Sequence, residues 1–342
     1  DAWYGSDDAP DIRRAFDKCG TDGNVIFENT TYHVNSVLNT TNLFNCQVDI
    51  YGTLRVRFGE WSNDTSYWLN HSMPTGYQNM STVWFLGGRY VNVQGHGYGT
   101  FNGNGQAWYD LVKGQSNYPG TQCQDQGWHV LADLYLDRPM VLTIWDTKDS
   151  VFEGIRFLQA QMWTVTIRYL ERVMLQDIYV NNTSGNKNPA RNTDGANRLF
   201  PINGDDCIAM KVNSTNILIE DATFHNGEGI ALGSIGQYKG QFETIENITV
   251  RNVVCNNTKY ATRVKTWTGD QVGYPPNGGG GGLGYCSNFT TAGITTTPIL
   301  FSQCTTYNGV TGNCSSSLFK ISDFSATHYR GTSELHRQAP VQ

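Results

Sequence analysis

The sequence feature that most constrains the fold is a repeat of short β-rich segments separated by turns of Asn, Asp and Gly. Four such segments occupy residues 151–157, 173–179, 217–224 and 248–254, and each alternates apolar with polar residues as a half-buried strand does. The first two begin 22 residues apart, the second interval is twice as long, and the third is 31 residues. A strand-containing period of roughly 20–30 residues is typical of a solenoid.

This repeat predicts an all-β fold, a parallel β-helix in which each coil adds strands to stacked parallel sheets. The leucine-rich-repeat pattern is absent, and the alternative is a β-sandwich, whose strands recur every ~8–12 residues. Residues 9–19 carry Ile12, Ala15 and Phe16 at helical spacing, which predicts a short helix that caps the N-terminal end of the solenoid. No second domain is visible, so residues 1–342 are predicted to form a single domain.

Charge and hydropathy exclude several partners. The net charge of −6 and the pI of about 5.6 give no electrostatic footprint for nucleic acid or an anionic membrane. No apolar run approaches the ~18 residues that a membrane span needs. We therefore expect neither nucleic acid nor a membrane as a partner, and we expect a monomer.

Sequons and cysteines indicate the compartment. Twelve Asn-X-Ser/Thr sequons and an even set of eight cysteines favour a secreted, extracellular glycoprotein with N-linked glycans and disulfides. The chain begins at Asp1 without a signal peptide, and we interpret it as a mature form. We favour the pairs Cys19–Cys46 and Cys304–Cys314, and the pairing of four further cysteines stays open: Cys123, Cys207, Cys255 and Cys286.

Carboxylates concentrate in two Asn- and Gly-rich segments, Asn-Thr-Asp-Gly at 192–195 and Gly-Asp-Asp-Cys at 204–207. Either segment alone is an ordinary turn or solvated loop. Asp206 and Glu228 are 22 residues apart, so one coil separates them and they stack on one face of the solenoid.

Two cations follow one looped coil later. Arg263 and Lys265 alternate to the same side of a strand, because side chains two residues apart share a face. A guanidinium that binds in a fork and an ammonium beside it suit a sugar carboxylate.

In order, Asn-Thr-Asp, Asp-Asp-Cys, Gly-X-Gly-X-X-X-Gly-Ser and Arg-X-Lys resemble glycoside hydrolase family 28, the polygalacturonases and rhamnogalacturonan hydrolases. Segments 99–109, 233–238 and 265–269, with the Gly-rich loop 275–282, resemble the exo-acting fungal branch. The resemblance implies a single-stranded, right-handed, pectin-lyase-like β-helix that needs no cofactor or metal.

The resemblance also implies roles for individual residues. Asp205 is the expected general acid, and Asp194 and Asp206 are expected to hold and activate the water. Arg263 and Lys265 are expected to bind the galacturonate carboxylate. Four further residues are predicted to line or shape the substrate pocket: Glu228, Gln237, Tyr238 and Trp267. Trp108, Trp145 and Trp163 are further candidates for stacking on a sugar ring, with Trp267 the best placed.

The chain departs from the family pattern at two positions within the site. Glu228 stands where the family has histidine, and His225, an odd number of residues away, is expected to face elsewhere. Asp194 and Asp205 are only 11 residues apart, about half a coil, which predicts either missing residues or a different local path, and we favour missing residues. The chain also ends at Gln342, where relatives continue through further coils.

The predicted function is a secreted, inverting glycoside hydrolase that releases galacturonic acid from the non-reducing end of homogalacturonan by exo-hydrolysis of α-1,4 linkages. An exo-acting rhamnogalacturonan hydrolase is the alternative within the same chemistry. A catalytically inactive pectin-binding β-helix is the alternative of another class. A polysaccharide lyase fits the carboxylates less well, because it would use Ca²⁺ and an Arg or Lys base.

Overall fold

The computed structural model describes residues 7–56, 66–76, 80–112, 138–190, 193–195, 205–269, 280–294, 299–305 and 313–330. Within them lie the helices α1 (Ala9–Cys19), α2 (Ser66–His71) and α3 (Gln106–Val112) and a 3-10 turn at Cys314–Ser316. The strands are β1 (Asn24–Phe27), β2 (Thr31–Val34), β3 (Leu38–Ile50), β4 (Thr53–Val56), β5 (Met73–Pro74), β6 (Ser81–Gln94), β7 (Thr100–Asn102), β8 (Met140–Trp145), β9 (Lys148–Glu153), β10 (Arg156–Leu158), β11 (Val165–Arg168), β12 (Glu171–Gln176), β13 (Tyr179–Asn181), β14 (Ile208–Met210), β15 (Ser214–Glu220), β16 (Thr223–His225), β17 (Ile230–Ile235), β18 (Phe242–Arg251), β19 (Val254–Asn256), β20 (Thr262–Trp267), β21 (Leu283–Ala292), β22 (Ile299–Thr305), β23 (Phe319–Ile321) and β24 (Phe324–Thr327).

The strands form a right-handed parallel β-helix, which confirms the predicted fold class. Apart from β5, the described strands pair in parallel with strands of the neighbouring coils, as in the orders β13-β10-β7-β4-β2, β14-β17-β20-β22 and β15-β18-β21-β23. Among the described ladders only β5 and β6 pair antiparallel. No helix in the described ranges is long and apolar enough to cross a membrane.

The sequence repeat corresponds to two strands joined by a one-residue bend. A residue with left-handed backbone forms each bend, a conformation that Gly, Asn and Asp adopt at least cost. The residue that follows the bend is at most 1% exposed, so the bend turns the chain back into the core. The four bend residues, with φ between +50° and +65°, are Gly154, Asp177, Asp221 and Asn252.

The core is filled by apolar side chains stacked from coil to coil. Leu54, Phe101 and Phe157 are in register on successive rungs, and the rings of Phe101 and Phe157 stack with centroids 5.2 Å apart. A second cluster fills the C-terminal coils and includes Phe224 and Val264. Such stacking gives each coil a buried surface that it could not have alone.

Helix α1 caps the N-terminal coil, as its periodicity predicts. Ile12 and Phe16 are each 4% exposed, and the Phe16 ring packs edge-on against Trp84. The helix thereby covers the end of the core that would otherwise meet water. That residues 1–342 form a single domain stays a prediction.

The cysteines match the predictions in part. Cys304 and Cys314 form a disulfide, as predicted. The predicted pair Cys19–Cys46 is wrong, because both thiols are free and the buried sulfur of Cys46 contacts the carbonyl oxygen of Cys19 at 3.7 Å. Cys207, Cys255 and Cys286 are buried, and Cys123 lies outside the described residues, so the pairing of these four cysteines stays open.

Asn257 tests the requirement for left-handed turn residues. Its φ is +57°, and its side-chain amide donates to Asn226 Oδ1 at 2.6 Å, one coil below. We expect Asn257→Ala to lower the Tm more than Asn257→Gly, because both lose the hydrogen bond but only alanine is strained, by about 1 kcal/mol or more. Thermal unfolding measures the order, and equal Tm values for the two variants would contradict it.

Candidate active site

Three strands of one sheet form the floor of the site. In β14, β17 and β20, Met210, Leu232 and Val264 are in register and point into the core. The flanking register positions therefore face outward. On this outer face Arg263 and Lys265 lie in register with Ala231 and Gly233.

Small residues on the floor leave room for the two cations. Ala209 and Ala231 precede Arg263 on successive rungs. At Gly233, with φ +109°, a Cβ would lie 2.2 Å from the carbonyl oxygen of Lys265. Arg263 and Lys265 can therefore lie across the floor and reach the carboxylates two rungs below.

The three predicted aspartates come together. One side-chain oxygen from each of Asp194, Asp205 and Asp206 lies within 4.8 Å of the other two. Asp206 is 1% and Asp194 7% exposed, whereas Asp205 is half-buried. Two of the three carboxyl groups are thus buried, and the third, that of Asp205, is open to solvent.

Backbone hydrogen bonds place Asp194 one rung from Asp206 despite its short sequence separation. Thr164 N donates to the carbonyl oxygen of Asp194 at 2.8 Å, and Gly195 N donates to that of Asp206 at 3.2 Å. Asp194 is therefore on the same side as the other aspartates. The path between them runs through residues 196–204, which lie outside the described residues, so the preference for missing residues stays a prediction.

Asp206 is paired with both predicted cations. Lys265 Nζ lies 2.5 Å from Oδ2, and Arg263 Nη2 lies 3.3 Å from Oδ1. All three side chains are largely buried, with exposures of 14% for Lys265, 15% for Arg263 and 1% for Asp206. A buried carboxylate this well paired is held as an anion, and removing one partner would leave an uncompensated charge.

Glu228 also belongs to the cluster. Its amide donates to the carbonyl oxygen of Asp205 at 2.9 Å. Its carboxylate forms a salt bridge with Arg263 Nη1 and lies 3.3 Å from Lys259 Nζ. The guanidinium of Arg263 is thus shared between Asp206 and Glu228. His225 lies on β16, which belongs to a different sheet.

The pKa values of two aspartates are raised. For Asp194 the main cause is burial, followed by the negative charges of Asp205 and Asp206. For Asp205 the causes are again burial and then the charge of Asp206. Like charges this close do not all ionise at neutral pH, so the cluster retains a proton. Asp205 is the more accessible of the two and is therefore the better proton donor.

The sequence did not single out Lys211, which directly follows β14. Its ammonium donates to the carbonyl oxygen of Gly233 at 2.9 Å and lies 5.0 Å from the centre of the Trp163 ring. Burial, followed by the charge of Lys265, lowers the pKa of Lys211 to about 8. Strand alternation beyond Met210 was the one sequence signal that could have placed it on this face.

The structure places the other predicted pocket residues at different depths. Gln237 is fully buried, Trp267 is 4% exposed, and Tyr238 is half-buried. Trp267 and Gln237 thus lie beneath the surface of the site, and their contact with substrate stays a prediction. Of the other tryptophans, Trp108 is fully buried, whereas Trp163 is half-buried beside Lys211.

A carboxylate cluster of this kind can also attract a divalent cation. In this chain Lys265 and Arg263 already contact both oxygens of Asp206. The protein therefore supplies the counter-charge itself, in keeping with a site built for acid–base chemistry. The expected absence of a metal or cofactor stays a prediction.

Comparison with known proteins decides the family. The model of "Glycosyl hydrolases family 28" matches residues 45–339. The chain belongs to this family and is a glycoside hydrolase. It is 47% identical to "Alpha-L-rhamnosidase rgxB" of Aspergillus niger, over 98% of this chain and 77% of the relative. It is 32% identical to an "Exopolygalacturonase" of Cochliobolus carbonum, over 96% of this chain and 72% of the relative.

Solved structures of family members share the fold. An endo-xylogalacturonan hydrolase from Aspergillus tubingensis superposes with a TM-score of 0.72 at 22% identity, over 97% of this chain and 83% of that one. A hyperthermoactive exopolygalacturonase from Thermotoga maritima gives 0.66 at 16% identity, over 96% and 78%. At these sequence identities the comparison shows a shared β-helix fold and gives no information on the substrate.

Asp205→Asn tests the electrostatics of the cluster. A group whose pKa is raised in the folded state stabilises the fold below its unfolded pKa, and this contribution is lost as pH rises through the folded pKa. The wild type therefore carries a cost at neutral pH that asparagine removes. We expect the Tm difference, variant minus wild type, to grow between about pH 4 and about pH 7, while turnover falls roughly 10²–10⁴-fold.

Asp17→Asn, on the exposed face of α1, is the matched control. The Tm difference should change more with pH in Asp205→Asn than in this control. Near-normal turnover of Asp205→Asn would refute the assignment of Asp205 as the acid. A Tm difference for Asp205→Asn that is the same at both pH values would refute the claim that the aspartate cluster retains a proton.

Proposed function

We propose that the protein is an exo-acting, inverting hydrolase of pectic polysaccharide that removes a terminal neutral sugar, an α-L-rhamnosyl residue, from rhamnogalacturonan chains. Asp205 protonates the departing glycosidic oxygen, and Asp194 and Asp206 hold the water that attacks the anomeric carbon and accept the proton that this water loses. The observation that carries the choice of sugar is the salt bridge between Glu228 and Arg263.

The charge balance supports a neutral sugar. Arg263 is engaged by Asp206 and Glu228, and Lys265 is engaged by Asp206. Binding a uronate would require one of these cations to leave a buried carboxylate, which costs free energy. The hydroxyl groups of a neutral deoxysugar need no spare cation. The 47% identity to a protein named as a rhamnosidase supports the same choice.

Release of galacturonic acid from homogalacturonan is the second candidate. The Arg263 and Lys265 pair favours it, and so does the identity with relatives named as exopolygalacturonases. In that case the substrate carboxylate replaces Glu228 as the partner of Arg263. The two candidates therefore differ in the partner of the Arg263 guanidinium, which is Glu228 in the first and the substrate carboxylate in the second.

Inversion is proposed despite the closeness of the carboxylates. Separations of about 6.5–9.5 Å are usual for inverting enzymes, and about 5–5.5 Å for retaining ones, whereas the oxygens here lie within 4.8 Å. Each oxygen of Asp206 contacts a cation, and Asp194 is buried. Paired and buried carboxylates are poor nucleophiles but suitable holders of a water.

The sequence supports a proposal for the compartment in which the protein works. The sequons and the disulfide Cys304–Cys314 support secretion into an oxidising, extracellular compartment. We further propose N-linked glycans at exposed sequons and a monomeric protein. An exo mode is supported by the names of the relatives.

Product analysis with Glu228→Gln tests the proposal. We expect wild type to release rhamnose from rhamnogalacturonan oligosaccharides and to cleave oligogalacturonides at least roughly tenfold more slowly. Glu228→Gln frees Arg263 and should raise the rate on oligogalacturonides relative to the rhamnose-terminated substrate. Chromatography of monomers and oligomers measures both rates.

Glu220→Gln is the matched control, because it breaks the exposed ion pair with Arg251 away from the site. Its ratio of rates should equal that of wild type. Galacturonic acid as the main wild-type product, with a ratio unchanged by Glu228→Gln, would overturn the proposed specificity. Binding of both polymers without any product would indicate a binding protein instead.

Stereochemistry is tested separately. Proton NMR during the first turnovers should show the released sugar with the anomeric configuration opposite to that of the substrate. The same configuration would replace inversion with a covalent intermediate on Asp194 or Asp206. The measurement needs only a substrate that wild type cleaves.

A further inference from the structure

Asp194 is a carboxylate without a cation at contact distance among the residues described. It is 7% exposed, and its Oδ1 has no hydrogen-bond partner within that part of the chain. Lys265 and Arg263, the cations opposite, both contact Asp206. If Asp194 is to act as a carboxylate, positive charge must reach it from elsewhere.

Lys211 is the group placed to supply that charge. Met210 pairs with Leu232, so Lys211 continues the register to Gly233, which in turn pairs with Lys265. Because Gly233 has no side chain, ammonium groups from the rungs on either side can reach the same cluster. The positive charge of Lys211 acts on Asp194, Asp205 and Asp206.

The surroundings of Lys211 fix its ammonium in place. The Gly233 carbonyl oxygen accepts a hydrogen bond from Nζ at 2.9 Å, and the Trp163 ring lies on another side at 5.0 Å. The charged groups that face it are the three aspartates and Lys265. A cation on an aromatic face beside a carbonyl oxygen is held without a carboxylate of its own, so its charge remains available to the cluster.

We propose that Lys211 is a positioning residue of the hydrolysis, whose fixed ammonium opposes protonation of Asp194 beside Asp205 and Asp206, so that Asp194 can hold the attacking water. The proposal rests on the proposed roles of the three aspartates. Burial and the charges of Asp205 and Asp206 raise the pKa of Asp194, and the charges of Lys211 and then Lys265 oppose them, in agreement with this geometry. In this proposal Lys211 acts through Asp194 and not by contact with the substrate.

Lys211→Met and Lys211→Arg test the proposal. Methionine keeps the length and removes the charge, so Asp194 should retain its proton to higher pH. The acidic limb of the pH profile of kcat/KM should move to higher pH, with a loss of roughly tenfold on that limb. Arginine keeps the charge and should restore the wild-type limb. Lys148→Met, an exposed lysine of β9, controls for the loss of a charge in general.

A measurement without substrate separates this inference from the proposed function. NMR of protein labelled with ¹³C at the aspartate carboxyl carbons follows each titration, with Asp194→Asn, Asp205→Asn and Asp206→Asn assigning the signals. The titration midpoint of Asp194 should rise in Lys211→Met and return in Lys211→Arg. This holds whether the terminal sugar is rhamnose or galacturonic acid.

Two outcomes would overturn the proposal. One is an Asp194 titration that is the same in wild type and Lys211→Met, with both folded by circular dichroism. The other is a rise in KM with an unchanged pH profile, which would make Lys211 a sugar contact. A shifted titration in a protein that cleaves neither substrate would uphold the role of Lys211 and refute the proposed function.

Discussion

The site depends on one buried interaction, the pairing of Asp206 with Lys265 and Arg263. Three aspartates within 4.8 Å would repel one another strongly without compensation. The two cations make Asp206 a fixed anion. That anion then raises the pKa of Asp194 and Asp205, on top of the effect of burial. A single ion-pair arrangement thus gives the cluster both a held carboxylate and a retained proton, which are the two states that acid–base hydrolysis needs.

The β-helix makes this arrangement possible because register, not sequence proximity, decides which side chains meet. Arg263 and Asp206 are 57 positions apart in the sequence, and they meet because the strands between them are in register. On the rung that separates them, the outward-facing residues are Ala231 and Gly233, which are small enough to leave the path open. A side chain at Gly233 would collide with the backbone of Lys265. The small residues of the floor therefore belong to the chemistry of the site as much as the charged ones do.

How much the sequence could predict follows from the same rule. The bends at Asp177, Asp221 and Asn252 are local, since each residue type tolerates left-handed backbone, and so the coils were predictable. One-coil spacing likewise predicted that Glu228 stacks beside Asp206. The role of Lys211 was not predictable, because a single lysine after a strand is ordinarily a solvated residue. Cys19 and Cys46 show the opposite error, since the two residues meet on neighbouring coils and both thiols are nevertheless free.

Under the proposed specificity, Glu228 lets the solenoid accept a different sugar without a change in its carboxylate cluster. The residue lies on the rung between Asp206 and Arg263, and its amide contacts the carbonyl oxygen of Asp205. A carboxylate at this position takes one arm of the Arg263 guanidinium, while the other arm still holds Asp206. The three aspartates of the cluster are left in place. Substituting one side chain on one rung therefore alters the charge offered to the sugar, and because neighbouring coils supply the remaining groups, the hydrolytic machinery is preserved.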